Sequence, residues 1–337
     1  MAITLNKLYP GKLDHDFLSS LIHKYTTTGH RVVCGAQVGE DATVVEMDEK
    51  YLVFKTDPVT FTTKHIGHYV VHVNSNDIVC MGATPKWFLA TVLLPEKSTR
   101  QTAESVFSQI SKTCKREKIA YCGGHTEVTP GIEQPIVVGQ MIGEAKKDDL
   151  KLKRHIKIGD HILLIQSAPV EAVSILARHK EAVLQEQFSR ELVKTCQNFL
   201  FLPGISVREY AKLAQKAKVH AMHDPTEGGV ATAVHEMAYA ANCGAIIDRD
   251  KVPLLTEGKL VCEFFDIDPL GCISSGSLLV AAPYKSVEPI LKACDEKNIP
   301  AGDIGKFVEK DKGLVLSEGG VQKRLPLFAQ DELLKIL

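Results

Sequence analysis

The chain reads as an α/β protein built in two halves, and three observations predict this. Apolar residues recur alternately at helical and at strand spacing along the whole length. The stretch KKDDLKLKRHIKIGD, 146–160, is the most polar and charged in the chain and divides the alternation into two runs of similar size. The 337 residues amount to about two domains at roughly 150 residues each. The expected division is therefore 1–150 and 151–337.

The first half opens with Asp14 before residues 15–28, where Phe17, Leu18, Leu21, Ile22 and Tyr25 fall at helical spacing, so Asp14 is expected to cap a helix. Residues 42–47 and 51–55 are short β-rich runs. Residues 65–81 are helical in pattern, with Gly82 placed to close the helix. A strand is expected at 87–94, ended by Pro95, then a helix over 99–118, a short strand over 119–122 and an apolar strand over 135–142. In the second half, strands are expected at 161–166, 219–222, 245–248 and 277–282. Helices are expected at 169–179, 228–241 and 286–298.

Composition removes several functions. Lys plus Arg is 40 and Asp plus Glu is 41, a formal net charge of -1, without the basic excess of a dedicated nucleic-acid binder. No apolar run reaches the roughly 18 residues of a membrane span, and the start MAITLNKLYPGKL has no apolar signal core. The nine cysteines form no C-x-x-C pair. They read as free, mostly buried thiols of a cytoplasmic protein.

The residues able to carry chemistry gather at element ends. Glu40 and Asp41 stand in VGEDATVV (38–45), and Asp57 in KTDPVTF (55–61), just past a strand. Asn74, Asn76 and Asp77 stand in VNSNDIVCMGATP (73–85). CGGHTEVTPG (122–131) pairs Gly123 and Gly124 with His125, Thr126 and Glu127. MHDPTEGGVATA (222–233) carries His223, Asp224, Gly228 and Gly229 into a helix, and GCISSGSLL (271–279) is the last cluster. Isolated carboxylates at strand ends suit a hard cation such as Mg²⁺, which takes oxygen ligands and substrate phosphates. Glycine pairs before helices suit phosphate. Each feature also has a plain reading as a cap, turn or solvated face. Neither a P-loop nor a complete G-x-G-x-x-G is present. His65, His68 and His72 share one helix face, but no matching metal-ligand set accompanies them.

Taken in order, these clusters resemble the PurM-like superfamily, which includes aminoimidazole ribonucleotide (AIR) synthase, HypE-type hydrogenase-maturation proteins, thiamine-monophosphate kinase and selenophosphate synthetase. The resemblance rests on GEDA, then T-D, then an N-x-x-D helix trailed by M-G-A, then G-G-x-T, then D-x-T-x-G-G-x-A-T, with PGKL at 10–13 ahead of them. The AIR synthase-related, HypE-like branch is nearest. The resemblance implies two α/β domains, with N-terminal domains pairing in a homodimer. ATP would lie in an N-domain cleft, partly completed by the partner subunit. It implies that Asp41, Asp57 and Asp77, with Glu127, hold Mg²⁺, and that Asp41, Asp57, Asn74, Asp77, Gly123, Gly124, Thr126, Gly228 and Gly229 form the nucleotide site. Asp224 is the expected acceptor-orienting group or base, with His125 or His223 as proton carrier.

Two departures stand out. His125 occupies a position usually acidic in the superfamily. The chain ends DELLKIL, so no self-modifying terminal cysteine of the HypE kind is expected. The expected function is ATP- and Mg²⁺-dependent activation of an oxygen of a small substrate. A nucleotide-binding maturation partner without turnover and a small-molecule kinase are the alternatives. A phosphoribosyl substrate would need basic donors, for which Lys55, Lys64 and Arg208 are candidates.

Overall fold

The computed structural model describes residues 8, 11–60 and 64–337; Pro10 of PGKL and Phe61 of KTDPVTF lie outside them. The described helices are α1 (His15–Tyr25), α2 (Ile66–Cys80), α3 (Arg100–Glu117), α4 (Val170–His179), α5 (Glu181–Gln187), α6 (Arg190–Asn198), α7 (Arg208–Ala214), α8 (Gly229–Ala241), α9 (Thr256–Phe264) and α10 (Tyr284–Asp295). The strands are β1 (Val32–Cys34), β2 (Thr43–Met47), β3 (Lys50–Val59), β4 (Thr84–Leu94), β5 (Ala120–Val128), β6 (Ile136–Lys146), β7 (His161–Ile165), β8 (Ala221–His223), β9 (Gly244–Asp248), β10 (Leu278–Ala282), β11 (Ala301–Val308), β12 (Leu314–Glu318) and β13 (Val321–Arg324).

The first sheet runs β1-β2-β3-β6-β4-β5. Only β4 and β5 are parallel in it. Along β6, Val137, Gly139, Met141, Gly143 and Ala145 alternate with more exposed neighbours, so one face is committed to the core. Helix α2 covers that face. It is buried on nearly every side, its polar residues Asn74, Asn76 and Asp77 included. Two glycines of β6 permit the close approach: a Cβ on Gly143 would stand 2.3 Å from Ile78, and one on Gly139 2.4 Å from the Asn74 amide. Asp14 caps α1 as expected, its side chain accepting from the N–H groups of Asp16 and Phe17. Gly82, with φ +80°, follows the end of α2 in the left-handed region.

The second sheet runs β13-β12-β9-β11-β7-β10-β8. Strands β7 and β10 are apolar and wholly buried, as strands covered on both faces must be. Their side chains part with period two. Ile162, Leu164, Leu279 and Ala281 pack with Val230, Val234 and Met237 of α8. Leu163, Ile165, Leu278 and Val280 pack with Leu213 of α7 and Ile290 of α10. Helices α4, α6 and α9 join the core that begins on the first sheet: Val173, Val193 and Val261 share one cluster with Ile66, Ile110 and Met141.

Three expectations change. The strand expected over 119–122 continues to Val128, so Gly123 to Glu127 form edge strand rather than loop. A Cβ on Gly124 would meet the Ala90 carbonyl at 1.8 Å, so that glycine answers to the approach of β4. Asp57 lies inside β3 rather than past a strand's end. Helices α5, α6, α7 and α9 and strands β1, β11, β12 and β13 were not expected; most are short, β13 is exposed throughout, and β11 shifts register near Asp303 and Gly305, so most give too short a stretch for their period to stand out.

A carboxylate-lined cleft as the candidate functional site

Strand β3 sends Lys55 and Asp57 to the same face, two residues apart. Helix α2 lies across that face and presents Asp77. The Lys55 ammonium therefore sits between two carboxylates, 3.2 Å from Asp57 Oδ2 and 3.4 Å from Asp77 Oδ2. One turn earlier on α2, the Asn74 side chain accepts from the Asp57 N–H at 2.9 Å and donates to the Asp57 carbonyl at 3.2 Å and the Val70 carbonyl at 2.8 Å. Asn74 thus spends its amide on holding Asp57 in place.

Asp41, just before β2, anchors a second line of charge. Lys153 donates to its Oδ2, and His223 Nδ1, at the end of β8, lies 2.9 Å from its Oδ1. The other nitrogen of His223 is 2.9 Å from Glu236 Oε2 on α8, and Lys12 donates to Glu236 Oε1 at 3.0 Å. The order is Lys153, Asp41, His223, Glu236, Lys12, and His223 binds a carboxylate from each half of the chain.

Burial opposes every charge in this line, and the partners outweigh it. His223 and Lys153 hold Asp41 well below the usual carboxylate range. Lys12 and His223 do the same for Glu236. Asp41 and Glu236 raise His223 above an ordinary imidazole. Asp77, Asp57 and Asp41 hold Lys55 above an ordinary amine. Asp77 itself is pushed well up, by burial first and then by Asp224, Asp57 and Asp41. Acids outnumber the bases around it.

These groups face a cleft of about 650 Å³ whose walls include Asp41, Lys55, Asp57, Asp77, His223 and Glu236. Asp224 does not line it. Its carboxylate, 1% exposed, lies 3.8 Å from the Cys80 thiol, and burial and Asp41 push it up to about 6. Gly228 and Gly229 do not line the cleft either. The Gly228 N–H donates to Asp331 at 2.8 Å, and a Cβ on Gly229 would meet the Leu270 carbonyl at 2.5 Å. Gly123, Gly124, His125, Thr126 and Glu127 stand apart on β5, where His125 Nε2 is 3.0 Å from Glu127 Oε2. Of the candidate phosphate donors, Lys55 lines the cleft, Lys64 does not, and Arg208 is bound to Glu117. His68 and His72 share the Arg116 guanidinium at 3.1 and 3.0 Å and are both lowered to about 3, by burial first and then by neighbouring cations.

Among the described residues, no three His, Cys, Asp or Glu side chains converge on a metal position. The donor set is nonetheless all oxygen and richer in acids than in bases. It fits a hard cation that takes one or two carboxylates and completes its shell from phosphate and water. Three cleft residues, Lys12, Glu171 and Glu236, were missed in the sequence, as was Lys153, the buried partner of Asp41. Lys153 lay hidden in the charged divide, and only its 1% exposure marks it. Glu171 was visible as an acid inside an apolar helical run.

Two family models match the chain: "AIR synthase related protein, N-terminal domain" over residues 39–145 and "AIR synthase related protein, C-terminal domain" over 157–316. The chain belongs to the AIR synthase related family. Carbamoyl dehydratase HypE of Escherichia coli (strain K12) is 26% identical to it over 278 residues, 80% of this chain and 79% of that protein. A structure of HypE in complex with ATP matches with a TM-score of 0.67 at 20% identity, covering 93% of this chain and 91% of that one. AaThiL complexed with AMPPCP and TMP matches at 0.70 and 20%, covering 87% and 91%. A HypE–HypF complex matches at 0.71 and 18%, covering 84% and 92%. The fold is PurM-like. Among the described residues, no helix is long and apolar enough to cross a membrane.

Proposed function

We propose that this AIR synthase related protein is an ATP- and Mg²⁺-dependent enzyme that activates or phosphorylates an oxygen of a small substrate. The observation that carries the reading is the Lys55 ammonium held between Asp57 and Asp77 on the wall of a deep cleft. Phosphoryl transfer asks mainly for positioning and charge neutralisation. Lys55 supplies a fixed cation for phosphate oxygens. Asp57 and Asp77 are the carboxylates that would hold Mg²⁺, which neutralises phosphate charge when bound. Asn74 fixes the backbone of Asp57, and His223 keeps Asp41 ionised and aligned. The ATP and AMPPCP held by the similar HypE and AaThiL structures support the nucleotide half of this reading.

The reading takes 1–150 as the ATP-binding domain and 151–337 as its companion. It includes a homodimer in the cytoplasm, with the partner's β5 bringing Gly123 to Glu127 toward the cleft; that strand is exposed along most of its length. A maturation partner protein is the second reading, favoured by the similar HypE–HypF complex.

Isothermal titration with a non-hydrolysable ATP analogue, with and without Mg²⁺, tests the proposal. Binding that needs the metal and disappears in Asp57→Asn, with thermal unfolding unchanged, is expected. Equal binding in Asp57→Asn removes the assignment.

A further inference from the structure

Helix α8 begins without a cap of its own. Its N-cap Gly228 and first residue Gly229 have no side chains, and both take left-handed φ values, +81° and +63°. Close neighbours require these glycines: a Cβ on Gly228 would collide with the Thr232 side chain, and one on Gly229 would meet the Cys272 carbonyl at 2.6 Å. A helix N-terminus packed in this way still needs acceptors for its free N–H groups. One comes from 103 positions further along the chain, where Asp331 Oδ2 takes the Gly228 N–H at 2.8 Å. A carboxylate there also gains from the helix dipole. Asp331 is 3% exposed and is itself fixed. Its Oδ1 accepts from the Leu333 N–H at 2.9 Å, Leu333 is buried in the first core cluster, and Glu332 Oε2 accepts from the Asp268 N–H at 3.1 Å.

The turn that Asp331 caps is part of the cleft. Thr226 and Glu227 line it. The Pro225 carbonyl accepts from the Ser274 N–H at 3.0 Å, which ties the turn to the segment that brings Ile273 to the wall. Thr226 and Glu227 in turn hold Lys12. Its ammonium donates to Thr226 Oγ1 at 3.2 Å and to Glu236 Oε1 at 3.0 Å, and stands 3.7 Å from Glu227 Oε2. Lys12 precedes α1, outside any helix or strand, so its partners on the turn and on α8 decide where the charge sits. Lys12 and Lys55 line the same cleft, close enough for each charge to act on the other. Two cations held on separate elements around one cavity suit an anionic chain that spans them.

We propose that Asp331 is a positioning residue of the cleft: by capping α8 from outside the helix it fixes the 226–228 turn, and the turn places Lys12 as a second cation, beside Lys55, for the phosphates of a nucleotide. This rests on reading the cleft as a nucleotide site. It adds a second phosphate contact and the remote residue that aims it.

Asp331→Asn tests the proposal with the shape of the side chain kept, since its amide N–H groups cannot accept from both the Gly228 and the Leu333 N–H. In titrations with the non-hydrolysable ATP analogue and Mg²⁺, Lys12→Met and Asp331→Asn are each expected to bind about tenfold more weakly than wild type, the scale of one lost charged contact. The double variant should bind no more weakly than Lys12→Met, because Asp331 acts through Lys12; a merely structural loss would multiply with it instead. Hydrogen exchange without nucleotide should quicken over 226–232 in Asp331→Asn and stay unchanged in β7. Wild-type affinity in either single variant, multiplied losses in the double variant, or unchanged exchange over 226–232 overturns the proposal. A wild type that binds no analogue removes the nucleotide reading and with it the phosphate role of Lys12, while the exchange result still decides whether Asp331 caps the turn.

Discussion

At the scale of single residues, the cleft is a balance of buried charges, and two of them carry testable consequences. His223 stands between Asp41 and Glu236. Removing it leaves two buried carboxylates facing each other, so His223→Ala should cost about 3–5 kcal/mol, measured by urea unfolding at pH 6. Its folded-state pKa is raised. The stabilisation is therefore complete below the ordinary imidazole value of about 6.5 and is lost as pH rises through the higher folded value. The gap between wild type and His223→Gln should narrow with rising pH; a gap that widens would contradict the bridge. Glu171 is raised to about 8, so its proton supports the fold fully below the ordinary carboxylate value of about 4.3, and that support is lost as pH climbs to the folded value. Glu171→Gln should accordingly melt higher than wild type at pH 8 by up to a few kcal/mol, with the advantage fading toward pH 4. Calorimetry at the two pH values reads this directly.

At the scale of elements, the tie between α2 and β3 and the free edge of the first sheet matter most. Asn74 joins α2 to the Asp57 backbone by two hydrogen bonds. Asn74→Ala orphans a buried N–H and should destabilise by roughly 1–3 kcal/mol while loosening Asp57; wild-type stability and wild-type nucleotide affinity together would deny that role. Strand β5 ends the sheet with Val128 58% exposed. A long exposed edge strand invites pairing. Val128→Lys should shift the proposed dimer toward monomer in analytical ultracentrifugation, and an unchanged mass would move the interface elsewhere. The elements themselves were legible where period and punctuation agreed, as in α1 behind Asp14 and α2 ahead of Gly82. Strand β5 was cut short in the sequence because Gly123 and Gly124 read as a turn. What keeps them extended is a neighbouring strand, which no local pattern records.

At the scale of the molecule, one core cluster runs from the first sheet into α4, α6 and α9, through residues such as Met141, Val173 and Val261. The Asp41–His223 contact adds a polar link between the halves. Calorimetry should therefore record one cooperative transition rather than two; two separated transitions would mean that the halves unfold independently. The division of labour between sequence and fold follows from distance. Local spacing determined the α/β alternation and the two-half organisation and singled out the acids Asp41, Asp57 and Asp77, because period, caps and short local motifs are properties of neighbouring residues. The order of the clusters carried the family resemblance. Only the tertiary structure brought Lys55 between Asp57 and Asp77, seated His223 between Asp41 and Glu236 and set Asp224 behind the cleft wall. Those relations join residues that lie up to about two hundred positions apart, and their energies depend on burial and on the sign of the neighbouring charge, which only the packed chain defines.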